Sequence, residues 1–303
     1  MVNNKITKKL ITHDGSFHTD DIFTAATLSL LLEKKGKNFE IIRTRDQEII
    51  NTGDYVFDVG GVYDEEKNRF DHHQTGGAGR RENGIEYSSF GLVWKKFEME
   101  LCGSQKATDI IDNRLVAPVD AGDNGISLVE NKYEISEYLI QHAFSSMRPT
   151  WREEDVTDDE MFLKCVAIAK EILMREIIQA KDGVLAEEII IATYEKTVDK
   201  RIIVLDKNYS FEYSLNNFPE PLFIISPNRT IKDKWSVRAV RKDPKTFVNK
   251  KDFPKLWAGL RDEELQKISG VPDAVFCHRA LFMAVAKSKE GAIKLAQIAI
   301  ESQ

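Results

Sequence analysis

Short apolar runs alternate with helical patterns through the first hundred residues. Residues 10–12 form the first strand-like run, residues 21–34 carry apolar side chains at helical spacing, and residues 39–43 and 55–59 are two further runs. That rhythm is the one left by a parallel sheet whose crossovers are helices. Gly60-Gly61 and the Asp64-Glu65-Glu66-Lys67-Asn68 cluster read as turns into a short hairpin that ends at Arg69-Phe70. Helices are predicted over 85–101, 106–115 and 133–144. Thr157-Asp158-Asp159-Glu160 has capping-box spacing, so a long helix should start there and run to about Ala180. From Arg201 the pattern turns to strands, at 202–205, 222–226 and 235–240. The expected architecture is α/β: an N-terminal domain over 1–150 with a parallel sheet flanked by helices, a helical connector over 151–200, and a smaller α+β domain over 201–303. A cleft between the domains is the expected place for an active site, because a chain of 303 residues exceeds what one small core organises.

Composition adds compartment and redox state. With 42% apolar and 30% charged residues the chain reads as a soluble globular protein. Its long apolar stretch at 22–32 is interrupted by polar residues and falls short of the roughly 20 needed to cross a bilayer. The first eight residues leave no room for a leader, so a cytoplasmic protein without a membrane partner is expected. Cys102, Cys165 and Cys277 are widely spaced and form no C-x-x-C pair, which argues for buried thiols rather than disulfides or a cysteine zinc site.

Charge is unevenly placed. Between Arg229 and Arg261 stand eleven Lys or Arg and three Asp, a local net of +8 in a chain of −6, so the remainder carries −14. An acidic body repels polyanions unless metal ions neutralise part of it, whereas a basic strip attracts them. This strip interleaves Trp235, Phe247, Phe253 and Trp257 with its charges, a composition suited to stacking bases while neutralising a backbone. Arg238, Arg241, Trp257 and Arg261 are the candidate substrate-binding residues, with single-stranded or short RNA as the partner.

The chemistry concentrates in histidines and aspartates. Four of the six histidines fall in two clusters, His13-Asp14-Gly15-Ser16-Phe17-His18-Thr19-Asp20-Asp21 and Asp71-His72-His73. Asp58 closes the apolar run Tyr55-Val56-Phe57, and Asp120 and Asp123 lie in Val119-Asp120-Ala121-Gly122-Asp123-Asn124-Gly125. The two clusters and Asp58 all follow predicted strands, where an open α/β sheet gathers its functional groups. Two divalent ions about 3.5–4 Å apart repel unless several carboxylates neutralise them, and neutral imidazoles complete their shells without adding charge. The mixture suits Mn2+ well, and Mg2+ is possible. His142, alone in a helical segment, reads as an ordinary polar residue.

The triplet Asp71-His72-His73, with Asp58, His13, His18 and Asp20 before it, resembles the DHH phosphoesterase superfamily. Within it the chain resembles the melanocyte proliferating gene family, on Tyr55-Val56-Phe57-Asp58-Val59-Gly60-Gly61, Ser88-Ser89-Phe90-Gly91-Leu92-Val93-Trp94, Pro149-Thr150-Trp151, Trp257-Ala258-Gly259-Leu260-Arg261-Asp262 and Ser269-Gly270-Val271-Pro272 in family order. The resemblance implies a DHH-type N-terminal domain and a metal-dependent 3'-5' exonuclease acting on RNA with two ions. It implies that His13, His18 and Asp20 hold metal, that Asp58 bridges, and that His72 and Asp120 complete the second site, with Asp123 a rival to Asp120. His73 would face the phosphate and Asp71 would orient the histidines. One departure stands out: where the family pattern runs His-Ala-Ser-Gly-Phe-Ile-Gly-Gly, this chain has His278-Arg279-Ala280-Leu281-Phe282-Met283-Ala284-Val285. His278, the third candidate catalytic residue after His73 and Asp71, keeps its place while the glycines beside it are replaced. Two competing readings are a small-nucleotide phosphatase or pyrophosphatase and a metal-retaining RNA-binding protein without catalysis.

Overall fold

A computed structural model describes residues 7–302 except 132, 212, 213, 217 and 245. The chain divides into two compact units, Met1–Lys181 and Asp182–Gln303, and the boundary falls inside a continuous helix rather than in a Gly/Pro linker. Among the described residues no helix is long and apolar enough to cross a membrane.

The first unit is built on a five-stranded sheet. Its strands are β1 (Lys8–Thr12), β2 (Phe39–Arg43), β3 (Tyr55–Phe57), β4 (Tyr63–Asp64) and β5 (Arg69–Phe70), in the order β2-β1-β3-β5-β4. The four strands β2, β1, β3 and β5 run parallel, and only β4 is antiparallel to its neighbour. Parallel strands end on one edge of the sheet, so His13, Asp58 and Asp71-His72-His73, each placed one to three residues after a strand, are delivered to the same edge. Ile11 and Val56 cluster with Ile50 and Val59. Helices α1 (Thr19–Lys34) and α3 (Ser89–Cys102) pack together, with Phe23 stacked on Phe90 at 5.1 Å. Helix α1 is buried almost all round, which explains why its apolar pattern is broad rather than a stripe.

Two predicted helices differ from what the chain forms. The 106–115 stretch is α4 (Gln105–Ile111) followed by a π-type turn at Asp112–Val116 and then α5 (Ala117–Asp123). Pro118 has no N–H to continue the helical ladder, and the widened turn precedes it. Of the 133–144 stretch only α6 (Ile140–Ser145) is helical, while Tyr133, Ile135 and Tyr138 are exposed. Without a surface to bury those apolar side chains a short helix has little to stabilise it. The short α2 (Gln47–Ile50) carries Asp46 as its cap, and α7 (Asp158–Lys196) starts where the capping box predicted but continues well past Ala180.

The second unit holds β6 (Ile202–Val204), β7 (Phe223–Pro227), β8 (Trp235–Ala239), β9 (Ala274–Cys277) and β10 (Met283–Ala286) in the order β6-β7-β8-β10-β9, with α8 (Asp262–Ser269) and α9 (Lys289–Glu301). Only β6 and β7 pair in parallel; the other pairs are antiparallel. Phe223, Val237 and Ala284 pack with Leu295 and Ala299 of α9 in one core, and Ile203 and Ile224 pack with Ile190 and Phe211 in a second. Alternation along β8 and β10 turns Ser236, Arg238, Met283 and Val285 into a cavity of about 390 Å³, which Arg229 and Arg261 also line.

Candidate metal centre

His13 directly follows β1, and its Nδ1 lies 2.9 Å from the Asp14 carbonyl oxygen. A carbonyl only accepts, so the ring carries its proton on Nδ1 and Nε2 is left as the ligating nitrogen. That Nε2 lies 3.1 Å from Asp58 Oδ2 and 3.3 Å from Asp21 Oδ2. Asp58 itself follows β3 with φ +54°, a left-handed conformation uncommon for a residue with a side chain but tolerated by Asp. Its second oxygen, Oδ1, lies 3.3 Å from His72 Nε2 and 3.5 Å from His73 Nδ1. The two oxygens of this carboxylate therefore face two different groups of imidazoles.

Helix α1 brings the next ligand candidates. Its N-cap residue is His18, whose backbone N–H donates to Asp21 Oδ1 at 3.0 Å, and Asp20 and Asp21 occupy the first turn, where the helix dipole favours carboxylates. Ser89 donates to Asp20 Oδ2 at 2.7 Å, while Asp20 Oδ1 is buried without a hydrogen-bond partner. Across the site His72 Nε2 lies 3.4 Å from Asp123 Oδ2. Among the described residues three donor sets gather ligand atoms within 4.8 Å: His13, His18 and Asp58; Asp58, His72 and His73; and His18, Asp20 and Asp123. Asp58 and His18 each belong to two of them.

Asp120, expected as a ligand, is turned away. It is fully buried, and its oxygens are taken by Arg81 Nη1 at 2.5 Å, Ser88 Oγ at 2.5 Å and the Gly91 N–H at 3.0 Å. A Cβ on Gly91 would sit 2.0 Å from Asp120 Oδ2, so this close approach needs glycine. Arg81 also grips Asp112 in a bidentate pair at 2.7 and 3.0 Å, and its guanidinium lies over the Tyr87 ring. One turn further along α5, Asp123 is the residue that points at His72. Asp71 reaches only one of the histidines it was expected to orient. Its Oδ1 accepts from the His73 backbone N–H at 3.0 Å and lies 2.8 Å from His73 Nδ1, while Oδ2 accepts from Gly61 N–H at 2.6 Å. The His73 side chain is 62% exposed, and with Nδ1 facing Asp71 its Nε2 is the ring nitrogen left outside these contacts.

The electrostatics are those of a cation site. Burial pulls the His13 imidazole down, but the Asp21 and Asp58 carboxylates outweigh it and hold the group up at about 10. Likewise burial opposes, and Asp58 and Asp20 exceed, to raise His72 to about 9. Burial would raise Asp58, yet His13 and His72 bring it down to about 2. Burial, then the neighbouring Asp20 and Asp58, push Asp123 up to about 9, and burial with Asp58 raises Asp20. Protons on His13 and His72 thus supply positive charge where carboxylates crowd, and a proton on Asp123 removes one negative charge. Asp20 Oδ1, Asp58 Oδ1 and His72 Nε2 are buried and make no well-aligned hydrogen bond, the last two facing each other only as an ion pair at 3.3 Å, which suits atoms that ligate a metal. The residues fit a divalent ion, or two sharing Asp58.

A family model described as an uncharacterised protein family, MYG1_exonuc (UPF0160), matches residues 9–300. The chain belongs to this MYG1 family. It is 29% identical to MYG1 exonuclease of Rattus norvegicus over 320 residues, covering 94% of this chain and 83% of the relative. It is 30% identical to a MYG1 protein of Caenorhabditis elegans over 333 residues (98% and 96% of the two chains) and 28% identical to a MYG1 protein of Chlamydia trachomatis over 313 residues (99% of each). MYG1 membership places the chain with proteins named as exonucleases, nucleases of the hydrolase class. Among solved structures, RecJ of Thermus thermophilus in complex with Mn2+ overlaps at a TM-score of 0.27 and 12% identity, covering 98% of this chain and 52% of that one. The chain thus spans about half the length of that RecJ. CDC45 of Entamoeba histolytica overlaps at 0.29 and 11%, covering 98% and 96%. Overlaps this loose say nothing about the MYG1 site.

The candidate residues of the second unit divide. Arg238 and Arg261 line its cavity, with Arg261 4.5 Å over the Phe276 ring. Arg241 lies outside that lining, bonded to the Pro244 carbonyl at 3.3 Å and 5.0 Å over the Phe247 ring. Trp257, expected to stack a base, is 2% exposed and packs on Phe253 in the core, so no base can reach its face. His278 accepts the Ala280 N–H on Nδ1 at 3.1 Å, which fixes its proton on Nε2. Leu281, at a family glycine position, keeps a left-handed φ of +58°, while Met283 and Val285 fill cavity wall. Arg45 was not among the predicted site residues; its one sequence signal is its place two residues after β2, at the functional edge.

Proposed function

We propose that this chain is a metal-dependent phosphoesterase of the exonuclease type, cleaving single-stranded or short RNA from its 3' end. The observation that carries the reading is Asp58, whose two oxygens face separate imidazole groups as a carboxylate shared by two ions would. His13, His18 and Asp58 are assigned to one ion and Asp58, His72, Asp20 and Asp123 to the other, with Mn2+ favoured by the mixed Asp and His donors. When bound, such ions lower the pKa of a water and carry the charge of the phosphoryl oxygens. The chain's own residues do the rest. Asp71 fixes His73 so that Nε2 is presented outward toward a phosphate oxygen, and Gly61 N–H holds Asp71 in turn. In the second unit Arg238 and Arg261 are assigned to the RNA, their guanidinium groups offering planar donors to phosphates. The name of the Rattus norvegicus relative supports the exonuclease reading.

End-labelled RNA incubated with Mn2+ or with EDTA tests it. Stepwise release of mononucleotides with Mn2+ and none with EDTA is expected. Hydrolysis confined to free nucleotides points instead to a small-nucleotide phosphatase, and binding without product to an RNA-binding protein. The fixed Nε2–H of His278 gives a second expectation: His278→Ala loses about tenfold or more in turnover, the lower part of the range for a lost charged-group hydrogen bond, with Mn2+ stoichiometry unchanged. Equal loss of bound metal would remove His278 from substrate handling.

A further inference from the structure

Half of the residues lining the cavity over the candidate metal centre, about 550 Å³, are acidic or imidazole groups: Asp14, Asp58 and Asp71 with His13, His18 and His73. Arg45 is the only Lys or Arg lining it among the described residues. Its backbone is held on both sides. Thr44 N–H donates to the Thr12 carbonyl at 2.8 Å, and Asp46 N–H donates to Thr44 Oγ1 at 3.0 Å while Asp46 Oδ1 caps α2 through Glu48 N–H at 2.8 Å. The neighbouring Arg43 has a plainly structural role, its side chain 3% exposed, paired with Asp159 at 2.6 Å and lying 4.7 Å over the Phe162 ring. Arg45 differs in every respect. Its side chain is 65% exposed, and its Nε lies 3.2 Å from Asp14 Oδ1, itself 54% exposed. Exposed pairs of this kind add little to stability. Neither terminal nitrogen of Arg45 has a protein partner among the described residues. Gly15 and Gly61, on two sides of the same cavity, are open, for a Cβ on either would meet nothing within 4 Å.

A solvent-facing guanidinium on an anchored stretch of backbone beside a carboxylate-rich centre suits a second anion rather than the fold. We propose that Arg45 forms a subsite for the substrate phosphate adjacent to the phosphodiester under attack, its two free nitrogens binding that phosphate as a fork. The inference rests on the phosphoesterase reading and narrows its substrate class to nucleotides carrying two neighbouring phosphates, including short oligonucleotides with a terminal phosphate.

Calorimetry on the whole chain in Mn2+ tests this with a nucleoside 3',5'-bisphosphate and the matching 5'-monophosphate as probes. Wild type should bind the bisphosphate about tenfold more tightly, as a charge-assisted contact provides. Arg45→Ala should lose that preference, Arg45→Lys should keep a reduced one, and Mn2+ affinity should be unchanged in both. A preference that survives Arg45→Ala overturns the subsite, as does loss of Mn2+ binding together with the preference, which would place Arg45 in the metal centre. Turnover of a dinucleotide with and without a terminal phosphate separates this from the parent reading. If neither is hydrolysed while the Arg45-dependent preference persists, the hydrolytic function fails and the subsite stands; if both are hydrolysed equally by wild type and Arg45→Ala, the subsite fails alone.

Discussion

Asp58→Asn is expected to lower phosphodiester hydrolysis by about a thousandfold or more while the protein stays folded. The change removes one negative charge from the carboxylate that faces both imidazole groups, and it removes the oxygen pair able to serve two cations at once. Losing roughly 4 kcal/mol of charge stabilisation in the transition state corresponds to that factor. Folding should survive because Asn, like Asp, tolerates the left-handed φ of +54° found here and matches the shape of the side chain. Circular dichroism of the metal-free protein should therefore match wild type, while its melting temperature falls by several degrees because His13 and His72 lose the carboxylate paired with both, and calorimetric titration shows weaker Mn2+ binding. Full metal occupancy with near wild-type turnover would remove Asp58 from the bridging position.

The first unit was largely legible in the sequence because strand ends, not side-chain contacts, place its candidate ligands. His13, Asp58 and His72 each sit one to three residues past an apolar run, and parallel pairing brings those runs' ends to one edge. The aspartates of α5 were harder. Asp120 and Asp123 lie three residues apart on one helical face, and only packing tells which meets the site and which meets Arg81. Arg81 follows the second histidine cluster by eight positions and gave no periodic signal, since a loop residue that reaches back to a buried carboxylate leaves no pattern. Trp257 was misread for a related reason: charge density along a strip says nothing about which way its aromatics turn, and this one faces Phe253 in the core. Arg238 and Arg261, by contrast, stay on the cavity face because β8 alternation and the N-cap position of α8 leave them there.

The pair Asp120 and Asp123 should separate stability from metal binding. Asp120→Ala leaves Arg81 with Asp112 alone and strips the partner from Ser88 Oγ and Gly91 N–H in a fully buried setting. Breaking a buried charge pair in this way costs about 3–5 kcal/mol, or roughly 10 °C in melting temperature. Asp123→Ala should behave oppositely. Burial and the facing Asp20 and Asp58 already disfavour its charge, so removing it relieves repulsion and the metal-free protein should melt no lower than wild type. Its Mn2+ affinity should fall by at least about 10–100-fold, the loss seen even for residues that only support a ligand, and activity should fall with it. Because Asp120→Ala can fail to fold, Asp120→Asn supplies the deciding measurement: it keeps the shape and the Ser88 contact and should hold Mn2+ within a few-fold of wild type. If Asp120→Asn loses metal while Asp123→Ala retains both ions and turnover, then Asp120 rotates out of its Arg81 clamp to ligate, and Asp123 is the bystander.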